Sequence, residues 1–424
     1  MQCINQTSRT SKALQIQIMD KIYTHSQICL ITAAGQTPYY GLPGVNRRAR
    51  TPQARIPLGN LTLVQDCATG LNIAHSKWSS RAWTFQEGYL CSRRLVFTDE
   101  EVVFQCGQMY CQESRYWNGW TELEARSGML RDDELSDVVP WPLETEEEGT
   151  RYSVRVRELL AQYSSRFMSF DADAINAFQG MFRYLGVRHC WGMPFVCPRT
   201  LLFTDHDGSG GMTVMLAWRA VAPRKRRLDF PSWSWASVEG SMVVDHINHV
   251  GPHGCEVEVA ALEGQWMAVD EYFSSGEALA DLKLSKLIRV TSYVSRPQFV
   301  SGKWVRRHVI DHFSPANEKV FAILKRGGES YRVFKVRADF DNVTVDSLSK
   351  AVTLFVAGSV FLHLLLLPVG SHFRRVGFVK TCEYGVLDNF TKGDLRQRVN
   401  GQRFLARTDV GFTEMSVRQT IILE

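Results

Sequence analysis

Twenty consecutive residues without a formal charge, Ala351 to Gly370 (AVTLFVAGSVFLHLLLLPVG), constrain this chain more than any other stretch. A run of that length suffices to cross a hydrocarbon core as a helix. Yet His363 lies inside it, Pro368 sits near its end, and Lys350 and Arg374-Arg375 flank it on both sides, so no charge asymmetry orients a span. The residues that follow, His372 to Val379, read as a strand after a Pro/Gly/Ser turn at Pro368 to Ser371. Two buried strands joined by a turn account for the run, with no membrane span.

The rest of the composition agrees with a packed chain. At 424 residues, 45% hydrophobic and 22% charged, there is apolar material for two or three folded units. Basic and acidic groups number 49 and 44, leaving +5, which excludes both a charge-driven disordered tail and a nucleic-acid binder living on bulk charge. Ten cysteines are too sparse for a disulfide scaffold, and the first thirty residues lack the basic start, apolar stretch and small-residue cleavage site of a secretory leader. The expected compartment is reducing and cytoplasmic.

Periodicity divides the chain into four stretches. Apolar residues Leu14, Ile18, Met19 and Ile22 predict a helix over Ser8 to about His25; Gln27 to Ala34 reads as a short buried strand; Leu58 to Val64 is a second strand candidate. A short helix carrying Arg81 to Glu87, capped by Ser79 or Ser80 and with Gly88 near its end, leads into a hairpin of Arg94 to Phe97 and Val102 to Cys106 around Thr98 to Glu101. Helix, strand and crossover together predict an α/β part over residues 1–112. A linker with the acidic run Glu144 to Glu148 covers 113–150. Two helices fill 151–190: one buries Tyr152, Val156, Leu159, Leu160 and Tyr163, the other Ile175, Phe178, Phe182 and Leu185 before stopping at Gly186. From 191 to 424 the chain is largely β, with alternation clearest at Ser232-Trp233-Ser234-Trp235-Ala236-Ser237.

The familiar chemical signatures are missing. Asp207 to Gly211 is glycine-rich, but no Gly-Lys-Ser/Thr follows it, and neither Gly-x-Ser-x-Gly nor His-Glu-x-x-His occurs. Asp245, His246, His249, His253 and Cys255 gather potential zinc ligands at spacings that match no standard finger, so a polar loop is expected and no metal. Arg224 to Arg227 reads as a solvated turn. Arg81, Trp83, Gln86 and Glu87 place a cation, an indole, an amide and a carboxylate within seven residues; Trp83 and Glu87 share a helix face and Gln86 is offset. An Arg–Glu pair with Trp83 buried beneath it would orient the hairpin without catalysis.

These residues resemble a known family. Cys3-Ile4-Asn5-Gln6, Met19 to Tyr23, Ala33-Ala34-Gly35 and Gly41 to Val45 resemble successive blocks of the fungal heterokaryon-incompatibility (HET) domain, and the most specific block runs from Trp78 through Arg81-Ala82-Trp83-Thr84-Phe85-Gln86-Glu87 to Cys106. Tyr163 to Arg166, Asp173 to Phe178, Trp191 to Pro194 and Pro231 to Ser237 are similar to the region that trails that domain. The motif residues the resemblance singles out are Cys3, Asn5, Gln6, Arg81, Trp83, Gln86, Glu87, Trp233 and Trp235.

The resemblance implies a TIR-like or flavodoxin-like sheet whose opening strands, normally upstream of the Cys-Ile-Asn-Gln block, are absent here. It also implies self/non-self recognition with associated cell death, acting through a protein partner of unknown identity and without a cofactor. Some TIR-like domains cleave NAD with a glutamate, but where HET domains carry a glutamate in the early helix this chain has Ser11. Loss of that charge would cost roughly three orders of magnitude in rate. An NAD-cleaving enzyme and a non-functional remnant are the alternatives; catalytic residues and oligomeric state stay open.

Overall fold

The computed structural model describes residues 9–37, 39–107, 110–114, 149–195, 216–221, 225–244, 255–274, 284–305, 319–326, 330–339, 344–357, 362–381, 386–388 and 416–424. The chain packs as two units, one of Met1–Glu147 with Gln162–Val187 and one of Glu148–Ala161 with Arg188–Glu424. Cys3, Asn5, Gln6 and the cluster from Asp245 to His253 lie outside the described residues.

In the first unit, helices α1 (Arg9–Gln17) and α2 (Met19–Thr24) replace the single helix expected there. The break is Ile18, whose φ of −114° and ψ of 13° leave the helical well while its N–H tightens onto the Gln15 carbonyl at 3.2 Å. Strand β1 (Cys29–Thr32) follows. The strand expected over Leu58 to Val64 is instead a hairpin of β2 (Arg55–Leu58) and β3 (Leu61–Val64), folded back at Gly59, whose φ of 60° suits the first position of a two-residue turn. Helices α3 (Thr69–Ala74) and α4 (Thr84–Leu90) then carry the chain to β4 (Arg93–Phe97), β5 (Val102–Cys106) and β6 (Tyr110–Gln112).

The sheet order is β1-β4-β5-β6. β1 runs parallel to β4 in the register Cys29 to Arg94 through Thr32 to Phe97, a pairing that requires the crossover supplied by α3 and α4. The expected β4–β5 hairpin is present: Thr98 Oγ1 accepts the Glu101 N–H at 3.0 Å and donates to the Glu101 carbonyl at 2.8 Å. Ile31, Ile73, Trp78, Val96 and Val103 form the core beside the sheet.

Helix α5 (Gly149–Ser164) is continuous, as expected. The helix expected over Ile175 to Leu185 is split into α6 (Asp173–Asn176) and α7 (Gln179–Tyr184), and Gly186 ends it at φ 63° as predicted. The split is filled by Phe178, whose ring packs 4.8 Å from Tyr163, 4.9 Å from Phe182 and 5.8 Å from Phe85.

The second unit is β-rich. It contains β7 (His189–Cys190), β8 (Met193–Pro194), β9 (Trp218–Ala220), β10 (Met242–Val244), β11 (Glu256–Ala261), β12 (Trp266–Ala268) and α8 (Val269–Ser274). The remaining strands are β13 (Leu284–Ser295), β14 (Gln298–Val305), β15 (Lys319–Arg326), β16 (Ser330–Ala338), β17 (Val352–Ala357), β18 (Leu362–Val369), β19 (His372–Thr381), β20 (Val386–Asp388) and β21 (Val417–Leu423). β13 pairs with β17, β17 with β18, β18 with β19, β19 with β21, and β21 back with β13. The hydrogen-bonded circuit therefore closes on itself as a five-strand, barrel-like ring, which removes free edges from these strands.

The uncharged run is β throughout its described part, with a correction of count. Its residues form β17 and β18, and the turn at Gly370 and Ser371 leads to a third strand, β19. Among the described residues no helix is long and apolar enough to cross a membrane.

A bulge sits where that third strand meets the second. Leu365 opposes Gly377 and Leu366 opposes Arg375, leaving Val376 as the extra residue, so Arg375 and Val376 are both buried. Buried Arg375 donates through Nε to Asp339 Oδ2 at 2.8 Å and through Nη1 to the Leu216 carbonyl at 2.9 Å; its Nη2 reaches the Trp218 carbonyl. Its guanidinium lies 3.6 Å over the Trp218 ring. Asp339 is buried with it, and burial pushes this carboxyl up against the opposing pull of Arg375. Removing one partner strands a charge in the interior. Asp339→Ala is expected to lower the unfolding free energy by about 3 to 5 kcal/mol, read from the shift of the urea midpoint.

Candidate functional site

The Trp78 to Glu87 block is built by local chain reversals before the helix starts. α4 begins at Thr84, not at Arg81, because Thr84 Oγ1 hydrogen-bonds the carbonyls of Trp78 and Arg81 at 2.5 and 2.7 Å and holds the preceding turn. Neither Ser79 nor Ser80 caps it. Ser79 Oγ instead donates to the Ala74 carbonyl at 2.6 Å, and the Phe167 N–H donates to the Ser80 carbonyl at 2.6 Å. Gly88 falls inside the helix, where Trp78 lies on it: a Cβ there would stand 2.8 Å from Trp78 Cη2.

The four candidate side chains of this block diverge. Arg81 is exposed. Trp83 is half-buried and donates through Nε1 to Asp173 Oδ2 at 3.2 Å. Gln86 is buried and donates through Nε2 to the Ala177 carbonyl at 2.7 Å, close enough to Gly180 that any Cβ there would collide with Gln86 Oε1. Glu87 accepts from Trp78 Nε1 at 3.1 Å and from the Tyr23 hydroxyl.

The indole next to Glu87 is therefore Trp78, and the expectation of Trp83 beneath an Arg–Glu pair is corrected. Trp83, at the N-cap of the helix, gives its indole N–H to Asp173 and not to Glu87. Burial pushes the Glu87 carboxyl above its ordinary range, opposed by the hydrogen bonds from Trp78 and Tyr23 and by the charges of Arg81 and Arg166. Arg166, whose guanidinium lies 4.8 Å over the Phe85 ring, is itself lowered to about 10 by burial. Tyr23, Trp78 and Arg166 are thus the partners that sequence reasoning missed. Only Trp78 lies near in the chain; the other two arrive through tertiary packing that no spacing rule encodes.

Trp233 and Trp235 belong to the second unit, and their alternation with serines is not a strand. Ser234 Oγ accepts the Ala236 N–H at 3.1 Å, turning Trp235–Ser237 into a 3₁₀ helix. Serines and tryptophans alike are buried. Trp233 Nε1 donates to the Lys286 carbonyl at 2.9 Å, Trp235 Nε1 to the Gly192 carbonyl at 2.6 Å, and Ser234 Oγ to the Trp191 carbonyl at 2.6 Å. Trp218 Nε1 reaches the Trp233 carbonyl at 2.8 Å. Short hydroxyls that bond nearby backbone offer the chain a turn in place of a ladder, which is why the period-two reading fails here.

No cluster of three or more metal-binding side chains occurs among the described residues. What the Trp78 to Glu87 block offers chemically is a half-buried carboxyl bridged to an indole and a phenol, with two arginines nearby. Residues 1–87 match the family model of heterokaryon incompatibility protein (HET). The match ends at Glu87, so the HET segment contains Arg81, Trp83, Gln86 and Glu87 and excludes Trp233 and Trp235. No curated protein and no solved structure matches the chain.

Two outcomes test this geometry of the HET segment. Because burial raises Glu87 in the folded state, its contribution to stability is present below the ordinary carboxylate range and is lost as pH rises through the raised value. Urea midpoints for the wild type should therefore fall relative to Glu87→Gln as pH rises above the ordinary carboxylate range, about pH 4. Gly88→Ala should destabilise the first unit by about 1 to 3 kcal/mol through overpacking against Trp78, read as a loss of protection from proteolysis within residues 78–90.

Proposed function

We propose that this chain is a heterokaryon-incompatibility protein of fungal self/non-self recognition, coupled to cell death and working by protein contact. The observation that carries the reading is how the polar groups of the HET block are occupied. Trp78, Trp83, Gln86 and Glu87 all bond to groups within their own unit, and half-buried Glu87 accepts from both an indole and a phenol. A carboxylate that stabilises a sugar cation must be free to meet that sugar, and this half-buried one is already bonded to an indole and a phenol. The motif residues act here as a frame. Exposed groups do the contacting: Arg81, and the aliphatic face of β2–β3, where Ile56 opposes Leu63 and Leu58 opposes Leu61.

The HET-like portion on this reading extends through β6 to residue 112, as a TIR-like layered sheet of which the parallel β1–β4 crossover is one unit. NAD cleavage is the rival. Incubating the purified chain with NAD and measuring nicotinamide release should show no turnover; turnover that is lost in Glu87→Gln would overturn the contact reading. In a fungal host, Ile56→Asp with Leu63→Asp should suppress the death response while circular dichroism and the urea midpoint stay unchanged. A full response from that folded variant would remove the hairpin from the contact surface.

A further inference from the structure

The β2–β3 hairpin offers a partner more than an aliphatic face. Just beyond its Arg55 to Val64 pair, the Gln65 N–H donates to the Ala54 carbonyl at 2.9 Å. Opposed residues in an antiparallel pair alternate between bonded and non-bonded. Ile56 and Leu63, and Leu58 and Leu61, therefore bond across the hairpin, while Arg55, Pro57, Thr62 and Val64 turn their main-chain groups outward. The two outer edges differ. Pro57 has no N–H to present on the β2 edge, whereas Thr62 and Val64 each present a donor and an acceptor on the β3 edge. Among the described residues no further strand pairs with either.

The side chains sort by the same alternation. Ile56, Leu58, Leu61 and Leu63 share one face and are between 54% and 69% exposed. Arg55 lies on the other face with Pro57, Thr62 and Val64. Charge in this part of the chain has one sign: residues 21–65 contain no aspartate or glutamate, and Arg47, Arg48, Arg50 and Arg55 fall among them. Arg50 is bonded to Glu113 at 2.5 Å. Arg47, Arg48 and Arg55 are exposed, and among the described residues they form no ion pair.

We propose that the β3 edge takes up an extended acidic segment of a protein partner, in which apolar residues alternate with aspartate or glutamate, as a third antiparallel strand. The proposal rests on the protein-contact reading and names the chemistry of the partner. A two-stranded ribbon is marginal in water and gains from a third strand. In the added strand, residues opposite Thr62 and Val64 lie on the Arg55 face and exchange main-chain bonds with the edge. Carboxylates there stand about 10 Å, two strand spacings, from the Arg55 backbone, a gap that two long side chains span. Their apolar neighbours extend the aliphatic face. Main-chain bonds supply affinity in such strand addition, and the alternating side chains supply selectivity. A second copy of this chain fits less well, because it would set two arginine-rich segments without carboxylates against each other. An anionic lipid surface leaves the outward main-chain groups of β3 without partners.

The test titrates the full chain into a fluorescein-labelled octapeptide of alternating glutamate and valine, read by fluorescence anisotropy. The expected result is saturable binding that weakens as salt is raised. A lysine–valine octapeptide should bind about tenfold more weakly or worse, and N-methylation of the glutamate nitrogens should abolish binding, since those nitrogens face the β3 edge. Thr62→Pro should weaken binding by about tenfold with circular dichroism and the urea midpoint unchanged, because the N–H it removes is not used within the hairpin. Absence of binding, or equal binding by the lysine peptide, by the methylated peptide or by the folded proline variant, overturns the proposal. Self-association of the chain that Thr62→Pro abolishes, or capture on phosphatidylserine vesicles in place of the peptide, does so too. The methylated peptide decides the question if the proline variant fails to fold. Failure of the peptide assay beside a suppressed death response in Ile56→Asp with Leu63→Asp discards the acidic strand and keeps the hairpin as contact surface; a full response from that folded variant discards both.

Discussion

A buried indole must find an acceptor for its N–H, and both units are organised around that requirement. In the first, Trp78 ends on the Glu87 carboxyl and Trp83 on the Asp173 carboxyl. In the second, Trp191, Trp218, Trp233 and Trp235 all end on backbone carbonyls: those of Ser285, Trp233, Lys286 and Gly192. The difference has consequences. A backbone acceptor fixes where a neighbouring segment runs, so the tryptophans of the second unit act as pins between loops. A carboxyl acceptor instead brings an ionisable group into the packing, as Glu87 and Asp173 do in the first unit.

The same economy explains the two conspicuous buried charges. Arg375 is tolerated because a β-bulge turns it toward Asp339 and two carbonyls at once, and because the Trp218 ring covers its face. Arg94, buried in β4, donates to the Tyr89 carbonyl and to Gln105 Oε1, both at 3.2 Å, and is lowered to about 10 by its burial. Arg94 is held by neutral oxygens, which add no charge needing compensation, whereas Arg375 combines two carbonyls with the buried carboxyl of Asp339.

Local rules reached the elements whose signals are local. The β4–β5 hairpin, α5 and the stop at Gly186 follow from alternation, periodicity and glycine, and the uncharged run resolves into strands because turn residues and flanking charges argue against a span. Spacing failed where side chains compete with the backbone. Ser234 converts an apparent strand into a 3₁₀ turn, Ile18 breaks a helix whose apolar period continues through it, and Gly59 folds one expected strand into two. For the site, the sequence placed Glu87 in the right block, but its partners Tyr23 and Arg166 come from distant segments that no local pattern reports.

The ring of strands in the second unit bears on how the chain emerges from the ribosome. Thr291 in β13 bonds to Thr420 in β21 across 129 positions, so a gap in the circuit stays open until residues 417–423 have been synthesised. Until then, β13 carries an unfilled row of backbone donors and acceptors from Ile288 to Val294, the kind of nascent edge that attracts chaperones. The β1–β4 crossover, by contrast, is complete within the first hundred residues, so translation delivers a sheet that can pair early followed by a ring that can shut only late.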